Sequence, residues 1–301
     1  MNQINNRINT FLTDDGECLK VHISGSGMPV VMLHGWTASH LDWNPLLSTL
    51  NSKFRVFCPD ARSHGGQVLS TTVNPDVKRL ARDLLNLLDF YELKKVDVVG
   101  HSMGALTIWQ FIQDYGCERF SRICIIDQSP KLVTDDTWKH GIYGNFDEDH
   151  SKRMLADFNT NFSESVLKLI AHGLNSKARD SYDRDSKGWK LARQNLQRLC
   201  PKPLISIWES LVASDYRNIL SHINVPTLIV WGMESNFYTQ ATAKYLIDHI
   251  QDVTLSLYEN ADHCPQAKDP ERFSNELLEF FGGVNVRSIR LDADNHFTRI
   301  L

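Results

Sequence analysis

Gly100-His101-Ser102-Met103-Gly104 is the stretch of this chain best suited to do chemistry. Val96-Asp97-Val98-Val99 precedes it and Ala105-Leu106 follows, so it reads as a buried strand, a Gly-x-Ser-x-Gly turn and a helix. A turn this tight forces its central residue into a strained conformation. The glycines on either side leave room where a side chain would meet the neighbouring helix or strand. Ser102 Oγ would then project above the carboxyl edge of a sheet, with a helix N-terminus beneath it, as in a nucleophile elbow. A serine hydroxyl attacks only when a base takes its proton in the transition state. The plainer reading of the same turn is that Ser102 simply caps the helix.

The elements that must position this serine alternate along the chain. Cys18–Ile23, Pro29–Leu33, Phe54–Cys58, Val96–Val99 and Arg122–Ile126 read as strands; Leu41–Leu50, Asn74–Tyr91 and Ala105–Tyr115 read as helices. Between about Thr134 and Ser221 the alternation stops, leaving helical patterns such as Phe162–His172 and Lys187–Leu199. It resumes with Thr227–Trp231, a helix near Gln240–Ile250, Val253–Tyr258 and a helix over Pro270–Phe281. Such alternation predicts an α/β fold, with a mostly parallel sheet covered by helices on both faces. The expected organisation is a core of residues 1–130 and 222–282, a helical cap over residues 131–221, and a tail of unknown role over residues 283–301. The tail fits neither pattern and could be an added strand, a partner contact or a frayed end.

Several turn motifs follow predicted strands in order: His34-Gly35-Trp36, Asp60-Ala61-Arg62-Ser63-His64-Gly65, the Ser102 turn, Trp231-Gly232 and Ala261-Asp262-His263. On these residues, from about Cys18 to Phe281, the chain resembles the α/β-hydrolase superfamily. Its capped branch of esterases and haloperoxidases looks closest, an impression that Asp127-Gln128-Ser129-Pro130-Lys131 strengthens. The resemblance implies a doubly wound α/β-hydrolase fold with an inserted helical cap. Ser102 would be the nucleophile and His263 its base. The backbone N–H groups of Trp36 and Met103 would form the oxyanion hole. His34, His64 and His101 lie in motif loops, where histidine more often braces backbone than abstracts protons.

The acid departs from the pattern. The usual position, three residues past the glycine of the late strand, holds Ser235, which cannot balance an imidazolium. Asp127 follows the strand after the elbow helix, at the same sheet edge, and is the expected acid. Glu234 is the alternative, one residue early, and Asp262 adjoins His263 too closely to orient its ring.

Composition sets the outer limits. The chain has 301 residues, 42% of them hydrophobic, and a formal net charge of −4, which gives no electrostatic case for nucleic acid. The N-terminal residues lack the apolar core of a signal peptide, and no apolar run approaches membrane-spanning length, so a cytoplasmic protein without a membrane partner is expected. The six cysteines are scattered; Cys58 and Cys124 read as small core residues, and Cys264 as a neighbour of the base. No glycine-rich dinucleotide loop and no ligand-spaced cluster appears, so neither cofactor nor metal is expected, and Asp147-Glu148-Asp149 reads as a solvated loop.

The aromatics of the presumed cap, including Tyr143, Phe158, Phe162 and Trp208, would mostly pack its own core, with two or three meeting a ligand. The expected activity is hydrolysis of a small or medium ester, thioester or lactone through an acyl-enzyme, or of a carbon–carbon bond next to a ketone. Two other readings stand beside it. One is a cofactor-independent ring-cleaving dioxygenase using a His263–Asp127 dyad, although such enzymes characteristically carry histidine where this chain has Met103. The other is a hydrolase fold that only binds its ligand.

Overall fold

The computed structural model describes residues 7–67, 74–283, 289–291 and 297–299. Strands β1 (Arg7–Leu12), β2 (Cys18–Gly25), β3 (Met28–Leu33), β4 (Phe54–Pro59), β5 (Val96–His101), β6 (Phe120–Ile126), β7 (Thr227–Gly232) and β8 (Val253–Tyr258) form one sheet. Their order is β1-β2-β4-β3-β5-β6-β7-β8. The first two strands pair antiparallel, and β2 runs antiparallel to β4; every pairing from β4 onward to β8 is parallel. Central parallel strands are covered on both faces and so read as unbroken apolar runs. Val96–His101 and Thr227–Gly232 are buried at every position.

Helices α1 (Asn44–Leu50), α2 (Val77–Phe90) and α3 (Met103–Tyr115) belong to the first half of the chain. Between β6 and β7 come α4 (Glu148–Thr160), α5 (Phe162–Ala171), α6 (Ser176–Asp183), α7 (Lys187–Leu196) and α8 (Pro201–Ala213). Then follow α9 (Gln240–His249), α10 (Pro265–Lys268) and α11 (Pro270–Phe281). The two faces of the sheet carry separate cores. One packs α2, α3 and the inserted helices through Leu80, Leu84, Leu106, Trp109 and Trp208. The other packs α1 and α11 through Leu46, Leu50, Phe273 and Leu277. Cys58 and Cys124 are fully buried within the second core.

Some boundaries differ from expectation. The segment read as one helix over Leu41–Leu50 is a 3₁₀ turn, His40–Trp43, followed by α1. Pro45 has no N–H to bond the fourth residue back, so an α-helix cannot run continuously through it. Helix α2 starts at Val77 rather than Asn74 because the Asp76 side chain caps it, accepting from the Arg79 N–H. Strand β1 was not anticipated; among its described side chains Phe11 is buried, while Ile8 and Leu12 are exposed. In the tail, Ile289–Leu291 and Phe297–Arg299 pair antiparallel as a two-stranded sheet separate from the main one. The rest of the tail lies outside the described residues. Asp147 is not simply solvated, since it caps α4 by accepting from the His150 N–H. Among the described residues, no helix is long and apolar enough to cross a membrane.

Candidate active site

Four loops meet at the carboxyl edge of the sheet. Ser102 follows β5, Asp127 follows β6, Ser235 follows β7 and His263 follows β8, so neighbouring strands deliver them side by side. Ligands in parallel sheets sit at this edge.

Ser102 has φ 53° and ψ −116°, a conformation that residues with a β-carbon rarely adopt. Helix α3 begins at the next residue, two earlier than the pattern suggested, so the serine sits on the helix N-terminus. Among the described residues its side chain makes no capping bond, which removes the plain helix-cap reading. The strain is permitted by close packing around it. A β-carbon on Gly104 would lie 2.2 Å from the Leu33 carbonyl oxygen, and one on Gly100 would lie 2.7 Å from the Ala105 nitrogen. Both obstacles are backbone and cannot swing away. Gly104→Ala is therefore expected to destabilise the fold by on the order of 1–3 kcal/mol, which thermal denaturation would read as a melting temperature lower by roughly 5 °C.

His263 is 9% exposed, and burial holds its pKa down to about 4, against the opposing pull of the Asp262 carboxylate. Its backbone is held from two sides: the His263 N–H donates to Asn236 Oδ1 at 3.4 Å, and its carbonyl accepts from His101 Nε2 at 2.9 Å. The Phe237 ring meets the imidazole edge-on, with centroids 4.6 Å apart.

Asp127 Oδ2 faces His263 Nδ1 at 3.7 Å. That is too long for a hydrogen bond. Yet neither atom has another partner among the described residues, and both are buried. Catalytic hydrogen bonds are often long without substrate and tighten on binding. The other oxygen, Oδ1, accepts from the Ser235 hydroxyl at 3.1 Å. Burial pushes the Asp127 carboxyl well above the usual carboxylate range, against the hydrogen bond from Ser235 that favours its charge. Glu234 points away from the imidazole. It pairs with Lys177 of α6 at 2.5 Å, and its carbonyl accepts from Asn175 Nδ2. Asp262 spends Oδ1 on the Cys264 N–H.

Trp36 follows β3, and its indole N–H donates to the Leu204 carbonyl of α8 at 2.9 Å. Its ring lies against Trp208, Phe158 and Phe162 of the inserted helices, with centroids 4.9, 5.3 and 5.6 Å away. The Trp36 ring is thus packed among these three aromatics. Tyr143 stacks on Phe237, the ring that abuts His263. Met103, as the first residue of α3, has an N–H with no acceptor inside the helix.

The remaining motif histidines brace backbone. His34 Nδ1 donates to the Gly35 carbonyl, and its Nε2 accepts from the Ala61 N–H. His64 donates to the Arg62 carbonyl. Burial holds His64 and His101 neutral, each with a pKa lowered to about 3. Cys264 Sγ lies 3.9 Å from His101 Nε2, and burial raises its thiol well above the ordinary value, which disfavours the nucleophilic thiolate. Among the described residues, no group of three or more His, Cys, Asp or Glu side chains could hold a metal ion.

Sequence reasoning did not foresee the lacing between the inserted helices and the loop after β7. The Leu174 N–H donates to the Asn236 carbonyl, and Asn236 Nδ2 donates to the Ile170 carbonyl. Asn236 therefore touches both the insert and the His263 backbone, a contact no local motif signals.

The chain matches the model of the alpha/beta hydrolase family over residues 30–276. It is 28% identical over 281 residues to 3-oxoadipate enol-lactonase 1 of Acinetobacter baylyi, covering 91% of this chain and 95% of that protein. It is 26% identical over 269 residues to the pimeloyl-[acyl-carrier protein] methyl ester esterase of Aeromonas hydrophila, covering 86% and 97%. Among solved structures, a bromoperoxidase from Bacillus anthracis superimposes with a TM-score of 0.79 at 21% identity, over 92% of this chain and all of that one.

Proposed function

The chain belongs to the alpha/beta hydrolase family, and from that premise we propose that it is a serine hydrolase of small or medium carboxylic esters or lactones. The observation that carries the reading is the strained Ser102 at a helix N-terminus, at the same sheet edge as the loops in which Asp127 and His263 face each other at 3.7 Å. The relatives named as an enol-lactonase and a methyl ester esterase support the same bond class.

The reaction runs in two halves. Ser102 Oγ attacks the acyl carbon while His263 Nε2 takes its proton. Asp127 accepts the Nδ1–H, fixes the tautomer and balances the imidazolium. The backbone N–H groups of Trp36 and Met103 stabilise the oxyanion as it forms. His263 then protonates the leaving oxygen, which departs and leaves an acyl-Ser102 ester. Water, deprotonated by His263, attacks that ester; the acyl–Oγ bond breaks, His263 returns the proton to Ser102 Oγ, and the acid leaves. Thioester cleavage, or carbon–carbon cleavage next to a ketone, would use the same groups.

Residues 131–221 act as a cap in this reading. Their aromatic residues around Trp36 wall the acyl site and keep bulk water away from the imidazole. A fluorophosphonate probe tests the proposal. A single stoichiometric adduct on the Ser102 peptide, with loss of p-nitrophenyl butyrate turnover in proportion, is the expected result. No labelling and no ester turnover would reject it, and oxygen uptake on a hydroxyquinolone would then favour the dioxygenase reading.

A further inference from the structure

We propose that Ser235 is the positioning residue for Asp127: its hydroxyl holds one carboxylate oxygen so that the other is presented, charged, to His263. This inference rests on the reading above, in which Asp127 supports His263 as the base.

The direction of the hydrogen bond follows from what else Ser235 does. Its Oγ accepts from two backbone N–H groups, Phe237 and Tyr238, each at 3.3 Å. A hydroxyl has two acceptor sites and one proton. With both acceptor sites engaged, the proton is left for Asp127 Oδ1, 3.1 Å away. The serine cannot turn round to accept, so it demands an acceptor at that spot, and a charged acceptor gives the stronger bond. Ser235 itself is fixed, because its N–H donates to the Gly232 carbonyl and the preceding Glu234 N–H donates to the Ala261 carbonyl of the His263 loop.

Asp127 is completely buried, in a place where an ionised carboxyl is costly without donors. The groups facing it are few. His263 Nδ1 stands across from Oδ2. Asp262 acts on it from the loop after β8 and disfavours its charge, while the Gly232 N–H from the end of β7 favours it. Tyr238 and the Cys264 thiol also lie near it; burial, and to a lesser degree the Asp127 charge, disfavours the ionisation of each. No lysine or arginine is among these groups. Among the described residues, the Ser235 hydroxyl is the side-chain donor within hydrogen-bond distance of the carboxylate, and it stands where the family usually places the acid itself.

Removing the hydroxyl should make Asp127 protonate at a higher pH. Ser235→Ala is expected to lower kcat on the order of ten- to a hundredfold, the worth of one hydrogen bond to a charged group. KM should stay within about threefold, since binding is untouched in this reading. The acid limb of the kcat profile should move upward by roughly one pH unit. Ser235→Thr, which keeps the hydroxyl, should restore most of the activity and the wild-type profile. The double variant Asp127→Asn/Ser235→Ala discriminates further. A residue that acts through Asp127 takes nothing more away once Asp127 is gone, so the double variant should be no slower than Asp127→Asn, and faster to the extent that the amide, freed from Ser235, turns its carbonyl toward His263. Additive losses, or a Ser235→Ala enzyme with wild-type kcat and an unmoved acid limb, would overturn the proposal alone. A fully active Asp127→Asn would instead remove the role of Asp127, and this proposal with it.

Discussion

Under the proposed mechanism, Ser102→Ala is expected to lower kcat for p-nitrophenyl butyrate on the order of 10⁶-fold, as loss of the nucleophile does in serine hydrolases. The residual rate should still exceed that in buffer by roughly 10³-fold, because the oxyanion donors and the binding site remain. The substitution isolates chemistry from folding unusually well at this position. Alanine and serine share a β-carbon, so the cost of φ 53° and ψ −116° is the same for both. The hydroxyl caps nothing, so no helix stabilisation leaves with it. The melting temperature should therefore stay within about 2 °C of the parent protein. Stopped-flow measurement of the p-nitrophenol burst gives the sharpest comparison: one equivalent from the parent and none from the variant. A variant that retained a tenth of the turnover would place the nucleophile elsewhere.

The site was legible where a short stretch carries its own explanation. The Ser102 turn needs glycine at 100 and 104 because backbone stands within 2.7 Å of where their side chains would begin. That requirement writes itself into five consecutive residues. Central strands were legible for a similar reason, since burial on both faces leaves only apolar residues to choose from. That His263 and Asp127 lie at one edge was legible through topology, since parallel strands bring their loops together there, and the structure sets the two side chains 3.7 Å apart. The contacts that tune them were not legible. Ser235 was noticed as the wrong residue for an acid, but its donation to Asp127 joins positions 108 apart in sequence. The bond from the Trp36 indole to Leu204 spans 168. Neither leaves a local pattern, because serine and tryptophan are tolerated in loops for many reasons. Strand β1 escaped for the opposite reason: as an edge strand with Phe11 the one buried side chain among those described, it asks little of its sequence.

Asp127→Asn should cost on the order of 10³- to 10⁴-fold in kcat while KM changes little. The reason lies in which amide atom faces which neighbour. Ser235 can only donate, so the asparagine carbonyl must turn toward it and the NH₂ toward His263. An NH₂ facing Nδ1 stabilises the tautomer with the proton on Nε2, the nitrogen that has to accept the Ser102 proton. The base is then present but blocked. Stability should move the other way. Burial raises the folded-state pKa of Asp127 above its unfolded value, so the folded protein binds that proton more tightly, and ionising it costs stability as pH rises through the raised pKa. Asparagine removes this cost. The variant should be at least as stable as the parent at neutral pH, and the difference should vanish in acid, below the unfolded carboxyl pKa. His263 contributes a separate term of opposite sign in both proteins. Its folded pKa of about 4 lies below the ordinary 6.5, so stability is lost as pH falls between those values. Glu234→Gln supplies the contrast: its carboxylate is half-exposed and spent on Lys177, so kcat should stay within about threefold. Should Glu234→Gln be the variant that loses turnover while Asp127→Asn keeps it, the acid is Glu234, and the loop after β7 must swing it past Ser235 when substrate binds.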